Sequence, residues 1–134
     1  MGKFDYKDMG TEEEIVSVWV AKCNPIDIPD DYLDENYGED DDEEFNQFSA
    51  DFKIGYYDHD FFEPVGLMGV LSLEEILKTA SYGSSFSKQV AEISSIKESE
   101  YILLMFNMKY DPEITQVTEN KYFKYIGNFK YSSD

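Results

Sequence analysis

The chain has 134 residues and a formal net charge of −18, because 29 acidic residues stand against only 11 basic ones. One domain is the expected count for this length, and charge of this sign argues against binding to nucleic acid or to an anionic membrane surface. All the basic residues are lysines, Cys23 is the only cysteine, and neither a leader segment nor a long apolar run is present, so the sequence predicts a soluble, cytoplasmic protein without a disulfide.

The first predicted element is a strand. Residues 1–13 are polar and contain two glycines, so we expect a loosely ordered N-terminus ahead of a single folded domain over residues 14–134. Apolar side chains alternate along residues 14–22, with Val16, Val18 and Val20 on one face and Ile15, Trp19 and Ala21 on the other. Because both faces are apolar, this segment is predicted to be a central strand.

A strongly acidic stretch follows. Residues 30–63 contain 14 of the 29 carboxylates and one lysine, interleaved with aromatic residues. A short helix is expected at residues 30–37. Phe45, Phe48 and Phe52 have the spacing of one helical face, so a second helix is predicted there, with the acidic block at residues 39–44 in its first turn. A helix terminus accounts for two or three carboxylates, and the rest need another explanation.

The second half of the chain alternates strands and helices. Ser72 and Glu75 have the spacing of a capping box, which predicts a helix start at residue 73. The predicted elements are an extended segment at residues 56–63, helices at 73–82 and 85–97, and strands at 101–108 and 121–131. The last two strands are close in sequence and have no convincing helix between them, so an antiparallel relation is expected for this pair.

These elements predict an α+β fold. We expect a single domain with a mostly antiparallel sheet of three to five strands, covered by two or three helices. Strands 14–22 and 101–110 would be central, helices 73–82 and 85–97 would cover the sheet, and the acidic helical segment would lie at one edge or end.

Enzyme chemistry has little support in the sequence. The only histidine, His59, lies between Asp58 and Asp60. In an extended chain its side chain would point away from both aspartates, and no second histidine is present, so a structural hydrogen bond or an interface role is preferred over a metal site. No nucleophile elbow or phosphate-binding glycine loop occurs. We therefore predict no catalytic residue, no metal and no cofactor.

Several short segments together resemble a known family. They are the strand Val16-Ser17-Val18-Trp19-Val20, the pair Phe45-x-x-Phe48, Tyr57-Asp58-His59-Asp60-Phe61, Ser81-Tyr82 before Ser85-Phe86, Tyr110-Asp111-Pro112 and the tail Tyr125-Ile126-Gly127-x-Phe129-x-Tyr131. Their order and spacing over roughly residues 14–131 resemble the immunity protein 22 family of bacterial polymorphic toxin systems. The resemblance implies a small cytoplasmic protein that binds and neutralises a cognate toxin, without catalytic residues or a cofactor, and it does not identify the toxin.

The surplus of carboxylates predicts where a partner binds. Tyrosines set among acids supply buried area and a hydrogen bond at a protein interface. A basic toxin domain, such as a nuclease, is the partner that this charge fits. The predicted contact residues are Asp30, Asp31, Asp34, Glu35, Tyr37, Glu39, Asp40, Asp41, Asp42, Tyr56, Tyr57, Asp58 and Asp60.

Other interpretations remain open from the sequence. The chain also fits an acidic DNA mimic or a general protein-interaction module that binds several basic proteins. In a further alternative the acids serve solubility alone, and binding occurs through the second half of the chain, which is richer in lysine. A metal-dependent or carboxylate enzyme is the least favoured of these classes, and the oligomeric state is left open.

Overall fold

The fold is built on four strands. The computed structural model describes residues 9–36, 45–55 and 57–132. The strands are β1 (Ile15–Ala21), β2 (Phe62–Ser72), β3 (Glu98–Phe106) and β4 (Phe123–Lys130), and the helices described are α1 (Gln47–Asp51), α2 (Leu73–Lys78), α3 (Ser87–Ile93) and α4 (Pro112–Thr115). One open sheet has the order β2-β3-β1-β4, with antiparallel neighbours throughout. The predicted α+β class with an antiparallel sheet is confirmed.

Strands β1 and β3 occupy the centre of the sheet. Every residue of β1 is buried. Its three valines join the hydrophobic core on one face, and Trp19 joins the core on the other. β3 divides in the same way, with Ile102 and Leu104 on the first face and Leu103 and Met105 on the second. Both strands predicted to be central are therefore inner strands, because both of their faces are apolar.

The last strand reaches the sheet by crossing over β1. Val18 of β1 lies opposite Leu104 of β3 on one side and opposite Gly127 of β4 on the other. Because both partners are antiparallel to β1, β3 and β4 run in the same direction, and the predicted antiparallel relation between them is wrong. The connection at residues 107–122, which contains α4, is long enough to carry the chain across the end of β1.

Strand β2 is an edge strand that extends well beyond its prediction. It was expected to end near residue 63, yet it continues to Ser72 along β3. Pro64 is tolerated because an edge strand has one side free of ladder hydrogen bonds. The pairing register shifts between Gly66 and Leu71. The glycines that suggested a turn therefore mark an irregularity within the strand.

Two helices cover one face of the sheet and form what we call the helix layer, α2 and α3. Leu73, Ile76 and Leu77 of α2 and Val90 of α3 pack on the valine side of β1. Both helices lie where they were predicted but are shorter. A 3-10 turn at Gly83–Ser85 joins them, and a side chain at Gly83 would overlap the Leu77 carbonyl oxygen. The turn therefore has no room for a side chain at position 83 and requires glycine there.

The opposite face is covered by what we call the aromatic layer, the rings packed around Trp19. Phe48 and Tyr110 each lie with their ring centroid 5.1 Å from that of Trp19, in edge-to-face geometry, and Phe52 lies 5.8 Å away. Phe48 and Phe52 come from the acidic half of the chain. The prediction that this segment lies at an edge or end of the sheet is therefore wrong, because these two rings pack against Trp19 of the central strand β1.

The cap of α1 replaces the predicted acidic first turn. The helix begins at Gln47 with no acidic residue in its first turn. The side chain of Asn46 accepts a hydrogen bond of 2.8 Å from the backbone of Ser49, so a neutral N-cap supplies the oxygen that the carboxylates were expected to supply. The inward face of Phe45, Phe48 and Phe52 is confirmed, since all three are buried.

Two further segments differ from expectation. Residues 30–33 form turns in place of the predicted short helix.

Residues 9–13, placed by the sequence in a loosely ordered N-terminus, are attached to the end of β3. Met9 is buried, Gly10 bridges to Met108, and the amide of Lys109 donates to the Met9 carbonyl at 2.8 Å. Residues 1–8 lie outside the described residues.

Candidate partner-binding surface

The segment at residues 24–34, called the acidic loop here, has a backbone fixed by local hydrogen bonds. The side-chain oxygen of Asn24 accepts from the amide of Ile26 at 3.0 Å and caps a 3-10 turn at Pro25–Asp27. The amide of Asp34 donates to the carbonyl of Asp31 at 3.1 Å. Asp30, Asp31 and Asp34 are exposed. Three of the predicted contact residues therefore stand on one preformed segment.

A buried tyrosine fastens the acidic loop to the rest of the protein. The ring of Tyr32 is only 1% exposed, and its hydroxyl donates to the Asp51 carboxylate at 3.0 Å. The amide nitrogen of Asn120 donates to both groups, each at 2.8 Å. Burial raises the pKa of Tyr32 above its ordinary value. The loop is thus tied to α1 and to the segment before β4.

A second group of charges surrounds the only histidine. His59 Nδ1 lies 2.8 Å from the carboxylate of Glu35. This hydrogen bond and the charge of Glu35 raise the pKa of His59, and the charges of Asp60 and Asp58 add to the effect. The predicted extended geometry is wrong, since His59–Phe61 is a 3-10 turn capped by Asp58. We call these four residues the histidine cluster.

Tyr57 belongs to the core and not to the surface. Its ring is fully buried and lies edge-on to Phe45, with 4.8 Å between centroids. The Asn46 amide donates to its hydroxyl at 2.7 Å, and that hydroxyl donates to Glu35 at 3.3 Å. The prediction that Tyr57 contacts a partner is corrected accordingly. Its hydroxyl instead holds Glu35 in place beside His59.

The remaining predicted residues divide into two groups. Asp60 is exposed, whereas Glu35 and Asp58 are partly buried. The others lie outside the described residues, and these are Tyr37, Glu39, Asp40, Asp41, Asp42 and Tyr56. The amide of Asn36 donates to the carbonyl of Phe45 at 2.7 Å. The two residues that flank residues 37–44, the segment that contains the acidic block, are therefore bonded to each other, next to the histidine cluster.

Two grooves adjoin the acidic loop, and the sequence predicted neither. One has a volume of about 420 Å³, is lined by Asp31, Asp51 and Tyr122 among others, and is called the acidic groove. The other, of about 240 Å³, is called the apolar groove, and it is lined by one carboxylate, Asp30, and by the apolar and aromatic side chains of Pro25, Ile28, Pro29, Tyr32, Leu33 and Tyr101. Pro29 lines both. The prolines of the sequence indicated a turn here, but no sequence signal showed that it forms two concave walls.

An exposed isoleucine was also missed. Ile26 is 86% exposed at the tip of the 3-10 turn, between the groove-lining Pro25 and the acidic Asp27. An apolar residue in a proline-bounded turn has no periodicity that marks it as buried or exposed. The sequence signal for Ile26 was therefore absent, and only the fold shows its position.

The described residues give little basis for catalysis. No group of three or more histidine, cysteine, aspartate or glutamate side chains among residues 9–36, 45–55 and 57–132 is placed to hold a metal ion. Cys23 is partly buried, and this burial, with the charge of Asp27, raises the pKa of its thiol, the opposite of what an activated nucleophile needs. In the same part of the chain, no helix has the length and apolar character to span a bilayer.

Comparison with protein families finds a match to the family described as Immunity protein 22, over residues 16–132. The chain belongs to the immunity protein 22 family. Comparisons with curated proteins and with solved structures find no match. The family resemblance based on the order and spacing of short sequence segments is confirmed.

Membership in the immunity protein 22 family gives the chain an immunity function, and an immunity function implies a toxin as its partner. It points to a role by binding and not by turnover. For this immunity protein the relevant question is which surface meets the toxin.

Proposed function

We propose that this immunity protein binds and neutralises a basic, nuclease-like toxin domain in the cytoplasm. The proposed surface consists of the acidic loop, the histidine cluster and residues 37–44, which contain the acidic block. The observation that carries the proposal is the fixed row of exposed carboxylates at Asp30, Asp31 and Asp34, fastened through Tyr32 to the core.

The distribution of charge supports this surface. Residues 1–67 carry 20 acids and 4 lysines, whereas residues 68–134 carry 9 acids and 7 lysines. The excess of negative charge therefore lies in the half of the sequence that contains the acidic loop. Such a field accelerates encounter with a basic partner by roughly 10–10³-fold at low salt. Fast association suits an inhibitor, because the toxin must be captured before it acts.

The rigidity of the acidic loop supports the same function. Binding costs free energy when loops and side chains become ordered at the interface. Here the backbone is already held by the Asn24 cap and by the bonds among Tyr32, Asp51 and Asn120. A surface that is ordered before binding spends less of the contact energy on ordering, which favours tight inhibition.

The test uses a candidate toxin, which is the C-terminal domain of any secreted protein whose gene lies beside this one. Co-expression with the wild-type chain is expected to restore growth, and the purified pair is expected to associate more slowly as salt rises. Reversing Asp30, Asp31 and Asp34 to lysine, or Asp40, Asp41 and Asp42 to lysine, should slow association and flatten its salt dependence.

The matched control reverses three acids elsewhere. Glu92, Glu98 and Glu113 are exposed and lie outside the proposed surface, so their replacement by lysine changes the net charge by the same amount. This control should change association far less than the loop variants. The proposal would be contradicted if all three triple variants changed association equally or if binding did not depend on salt. Tight binding to unrelated DNA-binding proteins would also contradict it and would indicate a DNA mimic.

A further inference from the structure

We propose that Ile26 and the apolar groove form the energetic centre of the toxin interface, with the carboxylates of the acidic loop as its rim. This inference rests on the proposed function. The occupant would be an apolar side chain that projects from the basic surface of the toxin domain. The carboxylates would set the speed and direction of approach, and the apolar contact would set how long the complex lasts.

Ile26 has the exposure and the rigidity of a contact residue. It is 86% exposed, the largest exposed fraction among the large hydrophobic residues of the described chain. Its own amide is bonded to Asn24, and the amide of Ile28 donates to the carbonyl of Pro25 at 3.0 Å. A protein gains nothing in folding from an apolar side chain that it holds in water. Burial against a partner removes that apolar surface from water.

The apolar groove lies directly beside this residue. Pro25, which precedes Ile26, and Ile28, two residues after it, both line the groove. The rest of its wall is formed by Pro29, Asp30, Tyr32, Leu33 and Tyr101. Its volume of about 240 Å³ lies below the range of pockets for drug-sized ligands, which begins near 300 Å³. This size suits a single side chain of a partner. The wall is preformed, since Ile28 is buried.

The charges around the groove select the partner. Asp27, Asp30 and Asp31 are exposed along the same loop, and the chain has no lysine between Lys22 and Lys53. An apolar centre surrounded by a charged rim is the usual anatomy of a protein interface. A second copy of this chain would set like charges against each other, which costs several kcal/mol. The negative charges around the groove therefore favour a basic protein as its partner.

Affinity measurements on the toxin domain encoded beside the gene test this inference. Ile26→Ala and Ile26→Asp should each weaken binding by at least about tenfold, mainly through faster dissociation. The aspartate variant is informative because an added carboxylate increases attraction to a basic partner. Weaker binding by Ile26→Asp therefore reports the lost apolar contact and not a change in charge.

The matched control is Ile93, which is 66% exposed on α3 in the helix layer. Ile93→Asp should leave affinity within about twofold, and thermal unfolding should show that all variants remain folded. If the wild-type chain binds and protects cells but the Ile26 variants bind equally well, the inference is overturned while the proposed function stands. Equal weakening of binding by the Ile93 variant also overturns the inference. If the wild-type chain does not bind the toxin domain, both the inference and the proposed function are contradicted.

Discussion

At the scale of single residues, a few polar side chains hold the aromatic layer together. The Tyr110 hydroxyl lies 2.7 Å from Thr115 Oγ1, and it is within bonding distance of two backbone carbonyls, Phe52 at 3.0 Å and Val117 at 2.8 Å. Its burial raises the pKa of Tyr110 to about 12. One phenol thus links α1, α4 and the segment that leads to β4, beneath the proposed surface.

Replacing Tyr110 by phenylalanine should measure this link. The variant leaves buried hydrogen-bonding groups unsatisfied, so we expect a loss of about 1–3 kcal/mol in the free energy of unfolding. Urea denaturation measures it. Tyr82→Phe is the control, because that ring is 48% exposed and the change should cost almost nothing. Equal stability of the two variants would show that the Tyr110 hydroxyl has no structural role.

His59 gives a prediction that depends on pH. Its pKa is raised in the folded protein by Glu35, Asp60 and Asp58. A raised pKa means that the pairing stabilises the fold fully below the unfolded value of about 6.5 and is lost as pH rises through the folded pKa. His59→Gln should therefore lower the Tm near pH 5.5 and have less effect near pH 9.

Because His59 is the only histidine, the proton on its imidazole Cε1 gives one resonance that can be followed in an NMR titration. We expect that titration to show a pKa above the ordinary value. A pKa at or below that value, or a Tm difference between wild type and His59→Gln that grows with pH, would contradict the ion pair with Glu35.

At the scale of elements, two short helices begin with different kinds of cap. Asn46 is 5% exposed, caps α1, and also donates to Tyr57 and to the carbonyl of Leu33. Ser72 caps α2 through its hydroxyl, which accepts from the amide of Glu75 at 3.3 Å. The first cap is part of the buried network below the histidine cluster, whereas the second is local.

The two caps should differ in their cost. Asn46→Ala removes a cap and leaves Tyr57 without a buried donor, so we expect a loss of about 2–4 kcal/mol in unfolding free energy. Ser72→Ala should cost about 1 kcal/mol. Chemical denaturation of both variants provides the comparison. Equal losses would mean that Asn46 acts only as a helix cap.

The elements also show which parts of the fold the sequence could predict. β1 and β3 were predicted because apolar residues on both faces specify an inner strand without reference to partners. The end of β2 was not predicted, because its pairing with β3 resumes at Leu71 after a register shift that follows Gly66. The acidic helix was misplaced since local spacing shows which face of a helix is apolar but not which face of the sheet it covers.

At the scale of the whole molecule, the sheet separates two different layers. The helix layer covers one face through aliphatic side chains, and the aromatic layer covers the other with segments that carry the acidic loop and the histidine cluster. The acidic loop and the histidine cluster thus belong to one side of the protein. Composition predicts a basic partner, and this stays a prediction. It did not predict the exposure of Ile26 or the apolar groove, because both depend on how the acidic loop folds around its own Tyr32 and against Tyr101.

The most direct test of this arrangement is hydrogen exchange of the protein, alone and bound to the candidate toxin domain that it protects against. We expect binding to slow exchange in residues 24–36 and 57–61 and to leave the helix layer at residues 73–93 unchanged. Slower exchange confined to residues 73–93, with residues 24–36 unaffected, would contradict the claim that the toxin binds on the aromatic side of the sheet.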